Sequence, residues 1–164
     1  MITDNLNGSL KHFLTYWHDK RGLNLIPTRA DIDPMDIRSL LSGICILDLK
    51  YADGKFDRAK IRLAGTQFYE MVGYEITGRY LDEIMPSEIY EELKSQLCTS
   101  IESKQPCFRH FHWENGSLSQ PEYQQILAPL GEPGKPIEQF IGMHALISSG
   151  PYARQFQFNT RFVA

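Results

Sequence analysis

The chain has 164 residues, of which 42% are hydrophobic and 23% are charged, a size and composition typical of one globular domain with its own core rather than of a multi-domain enzyme. Its net charge of −3 and its scattered basic residues argue against binding to nucleic acid or to an anionic membrane. No apolar run approaches the roughly 20 residues that span a bilayer, and the first residues lack the features of a signal peptide, so we expect a soluble protein in the cytoplasm.

The three cysteines, Cys45, Cys98 and Cys107, are odd in number, and no two of them form a Cys-x-x-Cys pair. This spacing argues against a disulfide framework and against a structural zinc site. We expect all three to be reduced and to fill space in the fold.

Apolar side chains near the start of the chain recur at helical spacing and predict an amphipathic helix over residues 4–21 that ends at Gly22. Two roles are open for this apolar stripe. It packs on the domain of its own chain, or it forms the interface of a homodimer. The interface candidates are Leu10, Phe13, Leu14 and Trp17, with Leu6 on the same stripe.

A strand pair is predicted over residues 44–51 and 56–63, joined by the tight-turn sequence Asp53-Gly54. Apolar and charged residues alternate in the second strand, which predicts one buried face at an edge of the sheet. The apolar residues of this alternation are Ala59, Ile61 and Leu63. Ahead of the pair, Asp33 is a candidate N-cap for a short helix over 34–41.

Short helices follow the strand pair. Thr66 is placed to cap a helix that runs through Val72, and one helical turn is predicted over 79–84. A longer helix begins after Pro86, and its apolar stripe at four-residue spacing predicts that it lies across the sheet. This stripe consists of Ile89, Leu93, Leu97 and Ile101.

Three more strands are predicted over residues 107–114, 123–130 and 137–147, as an antiparallel meander. The order of elements predicts an α+β fold: a five-stranded antiparallel sheet with short helices on one face and an N-terminal amphipathic helix.

We divide the chain into an N-terminal helix segment at 1–25, a main domain at 26–148 and a polar tail at 149–164. Three phenylalanines of the tail either extend a strand or dock on a partner. They are Phe156, Phe158 and Phe162.

The segment from Arg62 to Pro86, RLAGTQFYEMVGYEITGRYLDEIMP, resembles the centre of a PAS domain, in which a strand is followed by a short helix, a Gly-Tyr turn and an apolar ending before proline. Upstream, Tyr16-Trp17, Arg21-Gly22 and Leu40-Leu41 resemble the small stand-alone PAS proteins of alphaproteobacteria, together with Pro27, Arg29, Asp33 and Pro34. The resemblance covers roughly residues 10–147. It implies a PAS fold and a role in signalling.

The residues of this pattern have simple structural interpretations. Gly73 and Gly78 suit positive φ or close backbone approach, and Gly65 belongs to the same pattern. Pro27 stiffens the entry to the domain. Alternatively, Arg29 pairs with Asp31 or Asp33 as a buried tether between the N-terminal segment and the sheet.

No nucleophile, base and orienting group form a recognisable catalytic set, and no phosphate-binding or dinucleotide-binding motif is present. One alternative is a divalent metal site, because alternate residues of a strand share a face. Its ligands would be His110 and His112, with Glu114 and with His144 from a neighbouring strand.

The residues at two positions argue against the haem and the cysteinyl flavin that some PAS domains bind. A haem-binding PAS domain presents an axial histidine on the long helix, and residues 88–103 contain none. A cysteinyl-flavin photoreceptor carries a cysteine motif where this chain has residues 67–71, which contain none. A chromophore on Cys98 or Cys107 stays open, but we expect no cofactor.

The space between sheet and helices either packs solid or holds a small ligand. The candidate lining residues are Phe68, Met71, Tyr80, Leu93, Leu97, Trp113, Leu127 and Met143, with Leu63, Leu81 and Ile84 on the same predicted surface.

The favoured function is a non-enzymatic signalling module that acts by contact with a protein partner, in a bacterial two-component or second-messenger pathway, as a homodimer. One alternative is a small-molecule sensor with a ligand in the PAS cavity. The other is a metal-binding enzyme at His110 and His112.

Overall fold

Six antiparallel strands form one sheet in the order β2-β1-β5-β4-β3-β6 in this computed structural model, which describes residues 2–113, 121–148 and 161–162. The strands are β1 (Ile44–Ala52), β2 (Lys55–Ala64), β3 (Cys107–His112), β4 (Glu122–Leu130), β5 (Gln139–Ser148) and β6 (Arg161–Phe162). The predicted five-stranded antiparallel sheet is confirmed. The short β6 pairs with the outer edge of β3, so Phe162 extends the sheet, whereas Phe156 and Phe158 lie outside the described residues.

The helices cover both faces of this sheet. They are α1 (Gly8–Arg21), α2 (Thr66–Val72), α3 (Leu81–Ile84) and α4 (Ser87–Ser103), with 3-10 segments at Ile2–Asn5, Arg29–Asp31 and Pro34–Gly43. None of the helices in the described ranges is long and apolar enough to cross a bilayer.

Helix α1 begins at Gly8 and not at residue 4 as predicted. The side chain of Asn7 accepts a hydrogen bond from the backbone N–H of Ser9, which is the geometry of a helix N-cap and fixes the start there. Asn7 is held in place in turn, because its own N–H donates to Gln124 Oε1 on β4 at 2.9 Å.

The apolar stripe of α1 packs on the sheet of its own chain. Leu10, Phe13, Leu14 and Trp17 are all buried, and Trp17 Nε1 donates to the carbonyl oxygen of Pro129 on β4 at 3.1 Å. The alternative that these four side chains form a homodimer interface is therefore wrong. The predicted boundary at residue 25 divides α1 from the main domain, although both contribute side chains to one hydrophobic core.

The hairpin between β1 and β2 turns at Asp53 and Gly54, both with positive φ. The alternation predicted for β2 holds for Ala59 and Ile61, which are buried, but fails for Leu63, which is 46% exposed. A register shift lies between Ile61 and Leu63 in the pairing with β1. Such a bulge turns the following side chain to the other face, so Leu63 leaves the predicted interior surface.

Gly65 is the N-cap of α2, whereas Thr66 was predicted to cap it. Because glycine has no side chain, no side-chain hydrogen bond caps this helix. Its backbone lies directly against the preceding segment, and a Cβ at this position would be 2.3 Å from the carbonyl oxygen of Ser42. Further along, Gly73 and Gly78 have positive φ, at the end of α2 and in the turn before α3.

The segment that follows α1 is joined to it through Tyr16. The Tyr16 hydroxyl donates to the carbonyl oxygen of Asp33 and accepts from the Asp33 N–H, while the Asp33 side chain caps the 3-10 helix that starts at Pro34. Arg29 is exposed and donates to the carbonyl of Ile32, so the alternative of a buried Arg29 tether is wrong. Pro27 is buried, and its carbonyl accepts from Gly131.

Candidate functional site

A cavity of about 680 Å³ lies between the sheet and helices α2 to α4. This volume falls within the range typical of small-molecule sites. Helices contribute Phe68, Met71, Val72, Leu81, Ile84, Glu88, Ile89 and Leu93, and Ile76, Met85 and Pro86 lie between them. The sheet side contributes Cys45, Leu47, Ile61, Arg109, Phe111, His112, Gln125 and Leu127, with Trp113 just after β3.

The apolar wall of the cavity follows from the periodicity of its elements. On α4, Ile89 and Leu93 are four residues apart and therefore face the same side. On β1, Cys45 and Leu47 alternate towards the helices, as strand geometry requires.

Gly142 leaves space on the floor of the sheet beside the cavity. A Cβ on Gly142 would lie 2.6 Å from Leu127 Cδ2 and 2.8 Å from Cys45 Sγ, both of which are side chains of the cavity wall. The absence of a side chain at this position lets the neighbouring strands keep their pairing.

The eight candidate lining residues divide between the cavity and other parts of the fold. Phe68, Met71, Leu93, Trp113 and Leu127 line the cavity. The other three do not. Tyr80 lies under the guanidinium of Arg58, Leu97 is fully buried in the core, and Met143 lines a smaller pocket next to His144.

Arg109 on β3 places a positive charge at the cavity wall. Only 5% of its surface is exposed, and Nη1 donates to Gln125 Oε1 on β4 at 2.9 Å. The guanidinium carbon lies 4.8 Å from the centre of the Phe111 ring. Burial lowers the pKa of Arg109, an effect partly opposed by the carboxylate of Glu92, but a guanidinium stays protonated at neutral pH.

A row of polar side chains crosses the cavity face of the sheet. Arg109 pairs with Gln125, and Gln125 pairs with His144 on β5, so all three point to the same side. The His144 ring lies edge-on to Phe68 at 4.0 Å between centroids, and its two nitrogens have no hydrogen-bond partner among the residues that the structure describes. Burial lowers the pKa of His144 to about 4, so the ring is neutral at neutral pH.

The metal site predicted at His110 and His112 is not assembled. His110 lies on the sheet face opposite His144, because its neighbour Arg109 is in register with His144 through Gln125. The His110 ring contacts the carboxylate of Glu122 instead. Within the part of the chain that the structure describes, no group of three or more metal-ligating side chains is formed, and Glu114 lies outside it.

The predicted site residues do not include Arg109 and Gln125. The signal was a charged residue at Arg109 between Cys107 and Phe111, since alternate residues of a strand share one face and this face is otherwise apolar. Gln125 carries no comparable signal, because a glutamine is common on either face of a strand.

An antiparallel sheet in this strand order, with short helices that enclose a cavity over one face, defines the class of α+β sensory domains. A family model for the PAS domain matches residues 6–145, so the chain belongs to the PAS family. The matched range includes α1. Members of this family are in general non-enzymatic sensory modules of signalling proteins. No curated protein sequence matches the chain significantly.

Several solved structures share the fold at low sequence identity. The light-state LOV domain of the blue-light photoreceptor Aureochrome1 is 14% identical, with a TM-score of 0.47 over 69% of this chain and 87% of its own. A LOV protein of Rhodobacter sphaeroides is 12% identical, with a TM-score of 0.49 over 71% of this chain and 69% of its own. A light-oxygen-voltage domain studied with a flavin analogue is 13% identical, with a TM-score of 0.48 over 70% of this chain and 83% of its own.

The prediction that the chain has no cofactor, with haem and a cysteinyl flavin both disfavoured, is corrected: the cavity leaves room for a bound molecule. The similar structures are light-oxygen-voltage domains, and one of them was studied with a flavin analogue. The reason is physical. A missing cysteine motif excludes one covalent attachment, but it says nothing about a molecule that shape and hydrogen bonds hold in a cavity.

The residues around the cavity suit a small molecule held without a covalent bond. Arg109 and Gln125 supply hydrogen-bonding groups at one wall. Helix α2 carries no cysteine. Cys45 does line the cavity, but burial raises its pKa to about 12, so it is a protonated thiol of low reactivity. Cys98 and Cys107, the candidates for a chromophore link, are not among the lining residues.

Proposed function

We propose that the chain is a sensor that binds a small molecule in the cavity between the sheet and helices α2 to α4. The observation that carries the proposal is the cavity itself. It has a volume of about 680 Å³, a largely apolar wall and a few polar groups gathered at one side. Sites with this combination are the usual location of small-molecule ligands in folded domains.

The elements around the cavity suggest how occupancy changes the domain. Helix α3 has four residues, and α2 and α3 are joined by a segment with two positive-φ glycines, Gly73 and Gly78. Short elements with few hydrogen bonds of their own are the parts of a fold that move at lowest cost. A ligand that contacts them shifts their conformation only as far as it binds one arrangement more tightly than the other.

The signal leaves the domain by contact with a protein partner, as is common for PAS domains. The output is therefore association and not catalysis. The stripe at Leu10 and Trp17 is buried, so the contact surface lies elsewhere on the chain. The partner class is a signalling protein, a second copy of this chain included.

Native mass spectrometry of the protein purified from cells, beside its denatured mass and visible spectrum, tests the sensor proposal. We expect a retained small molecule, or binding of the neutral dye N-phenyl-1-naphthylamine when the cavity has lost its ligand. The Leu93→Trp variant should lose either signal, because Leu93 is buried and its larger replacement fills the cavity.

Leu63→Trp is the matched control, since Leu63 is on the exposed side of β2 and should leave binding unchanged. Val72→Trp fills the cavity from α2 if Leu93→Trp does not fold. A folded wild type that carries no small molecule and does not bind the dye would overturn the proposal. A retained flavin would be identified by its mass and its blue absorption.

A further inference from the structure

Arg109 is a buried cation that contacts no carboxylate among the described residues. No ion pair joins its guanidinium to a carboxylate in residues 2–113 or 121–148, and the acceptor of its hydrogen bond is the neutral amide of Gln125. The side chain is 5% exposed and lines the cavity. Charged side chains are rarely buried to this degree without a paired charge.

Two acidic residues act near Arg109, but neither is recorded in an ion pair with it. Glu88 lines the cavity and Glu92 attracts Arg109 from α4, but both side chains are exposed. Water screens an exposed carboxylate more effectively than a buried one, so their influence at Arg109 is weak.

The remaining donors of Arg109 are available to the cavity. A guanidinium has five N–H groups, and in the described part of the chain one acceptor, Gln125 Oε1, is in hydrogen-bond contact with it. The face of Phe111 on one side and Gln125 on the other fix the orientation of the group. A rigid guanidinium fork in a site of low dielectric is a strong binding group for carboxylate-like anions.

We propose that the cavity ligand is an organic anion, with an apolar body between the sheet and helices α2 and α4 and one acidic group that pairs with Arg109. This inference rests on the proposed function, because it assigns a chemical class to the ligand of the same cavity. The acidic group completes the buried charge pair, and the apolar body replaces water along the wall formed by Leu47, Leu93 and Leu127.

Two dyes of one ring system test the proposal. N-phenyl-1-naphthylamine is neutral, and 8-anilino-1-naphthalenesulfonate adds one permanent negative charge to the same skeleton. Fluorescence titrations of both dyes are made on purified, dialysed wild type, on Arg109→Gln and on the control Arg38→Gln, which removes an exposed charge away from the cavity. We expect Arg109→Gln to bind the anionic dye about tenfold more weakly, or about 1.4 kcal/mol.

The neutral dye should bind wild type and Arg109→Gln with affinities within about twofold, and Arg38→Gln should match wild type for both dyes. If Arg109→Gln binds both dyes as wild type does, the anion proposal is overturned while the sensor proposal stands. If the folded wild type carries no small molecule and binds neither dye, both proposals are overturned.

A measurement on wild type alone covers the case in which Arg109→Gln does not fold. Decanoate and decanol compete in turn against the bound neutral dye. Burying an unpaired carboxylate is costly, so decanol is the better competitor in a cavity without a cationic partner. We expect decanoate to displace the dye at a lower concentration, and the opposite order would overturn the anion proposal.

Discussion

His144 illustrates how a single buried ring makes a fold sensitive to acid. The His144 ring makes edge contacts with the aromatic rings of Phe68 and Tyr123, and its burial disfavours a positive charge. Burial lowers its pKa from 6.5 to about 4. Between these two values the unfolded chain binds a proton that the folded chain does not.

The free energy of unfolding should therefore fall as pH drops from 6.5 towards 4, by up to about 3 kcal/mol from this residue. In His144→Leu, which cannot take up the proton in either state, the slope of stability against pH should be smaller across this window. Denaturant melts at several pH values measure it. His12→Gln, at an exposed position, is the control for the general effect of acid, and equal slopes in the two variants would contradict the assignment.

Gly65 shows a different residue-scale constraint, which is close approach of two backbone segments. The φ of Gly65 is −67°, so its conformation suits any residue, but an added Cβ would meet Ser42 O at 2.3 Å. Gly65→Ala should destabilise the domain by about 1–3 kcal/mol or more, because backbone atoms must shift. Gly8→Ala, where nothing lies within 4 Å, is the control, and equal stability of both variants in thermal melts would refute the steric account.

Helix α1 is an element whose stability comes from its contact with the sheet. Trp17 is fully buried, and its indole N–H is bonded to Pro129 on β4. Trp17→Ala should lower the free energy of unfolding by about 3–5 kcal/mol, since it removes a large core side chain and leaves a cavity.

Sedimentation and denaturant melts distinguish this role from that of an interface. Leu25→Ala, at a position that is 62% exposed, should change stability by less than about 0.5 kcal/mol. A Trp17→Ala chain that keeps its unfolding free energy but loses self-association would show that α1 acts as an interface after all.

Periodicity predicted the existence of most elements but not their exact limits. The stripe on α4 and the Asp53-Gly54 turn are local signals, and both appear in the structure as helix and hairpin. The start of α1 depends on Asn7, whose capping role is set by Gln124 far along the chain. The exposure of Leu63 depends on a bulge in its pairing with β1, which no local pattern in β2 announces.

For the whole molecule, the sequence predicted the layers but not the cavity between them. Five of the candidate lining residues lie at the cavity, because apolar side chains on α2, α4 and the sheet face each other in a two-layer fold. Whether two facing layers leave a void between them depends on the volumes of all the side chains that both layers contribute. Gly142, for example, contributes no side chain beside Leu127 and Cys45. The inward direction of Arg109 depends on the register of β3 with β4, which sequence alone does not give.

The strand order also has a consequence for synthesis of the protein on the ribosome. β5 joins the two halves of the sheet, since it pairs with β1 on one side and with β4 on the other, and Ile44 is opposite Met143. A nascent chain translated only as far as β4 therefore has two separate hairpins, each with an open edge suited to chaperones or to aggregation. Closure of the domain waits until β5 has left the exit tunnel.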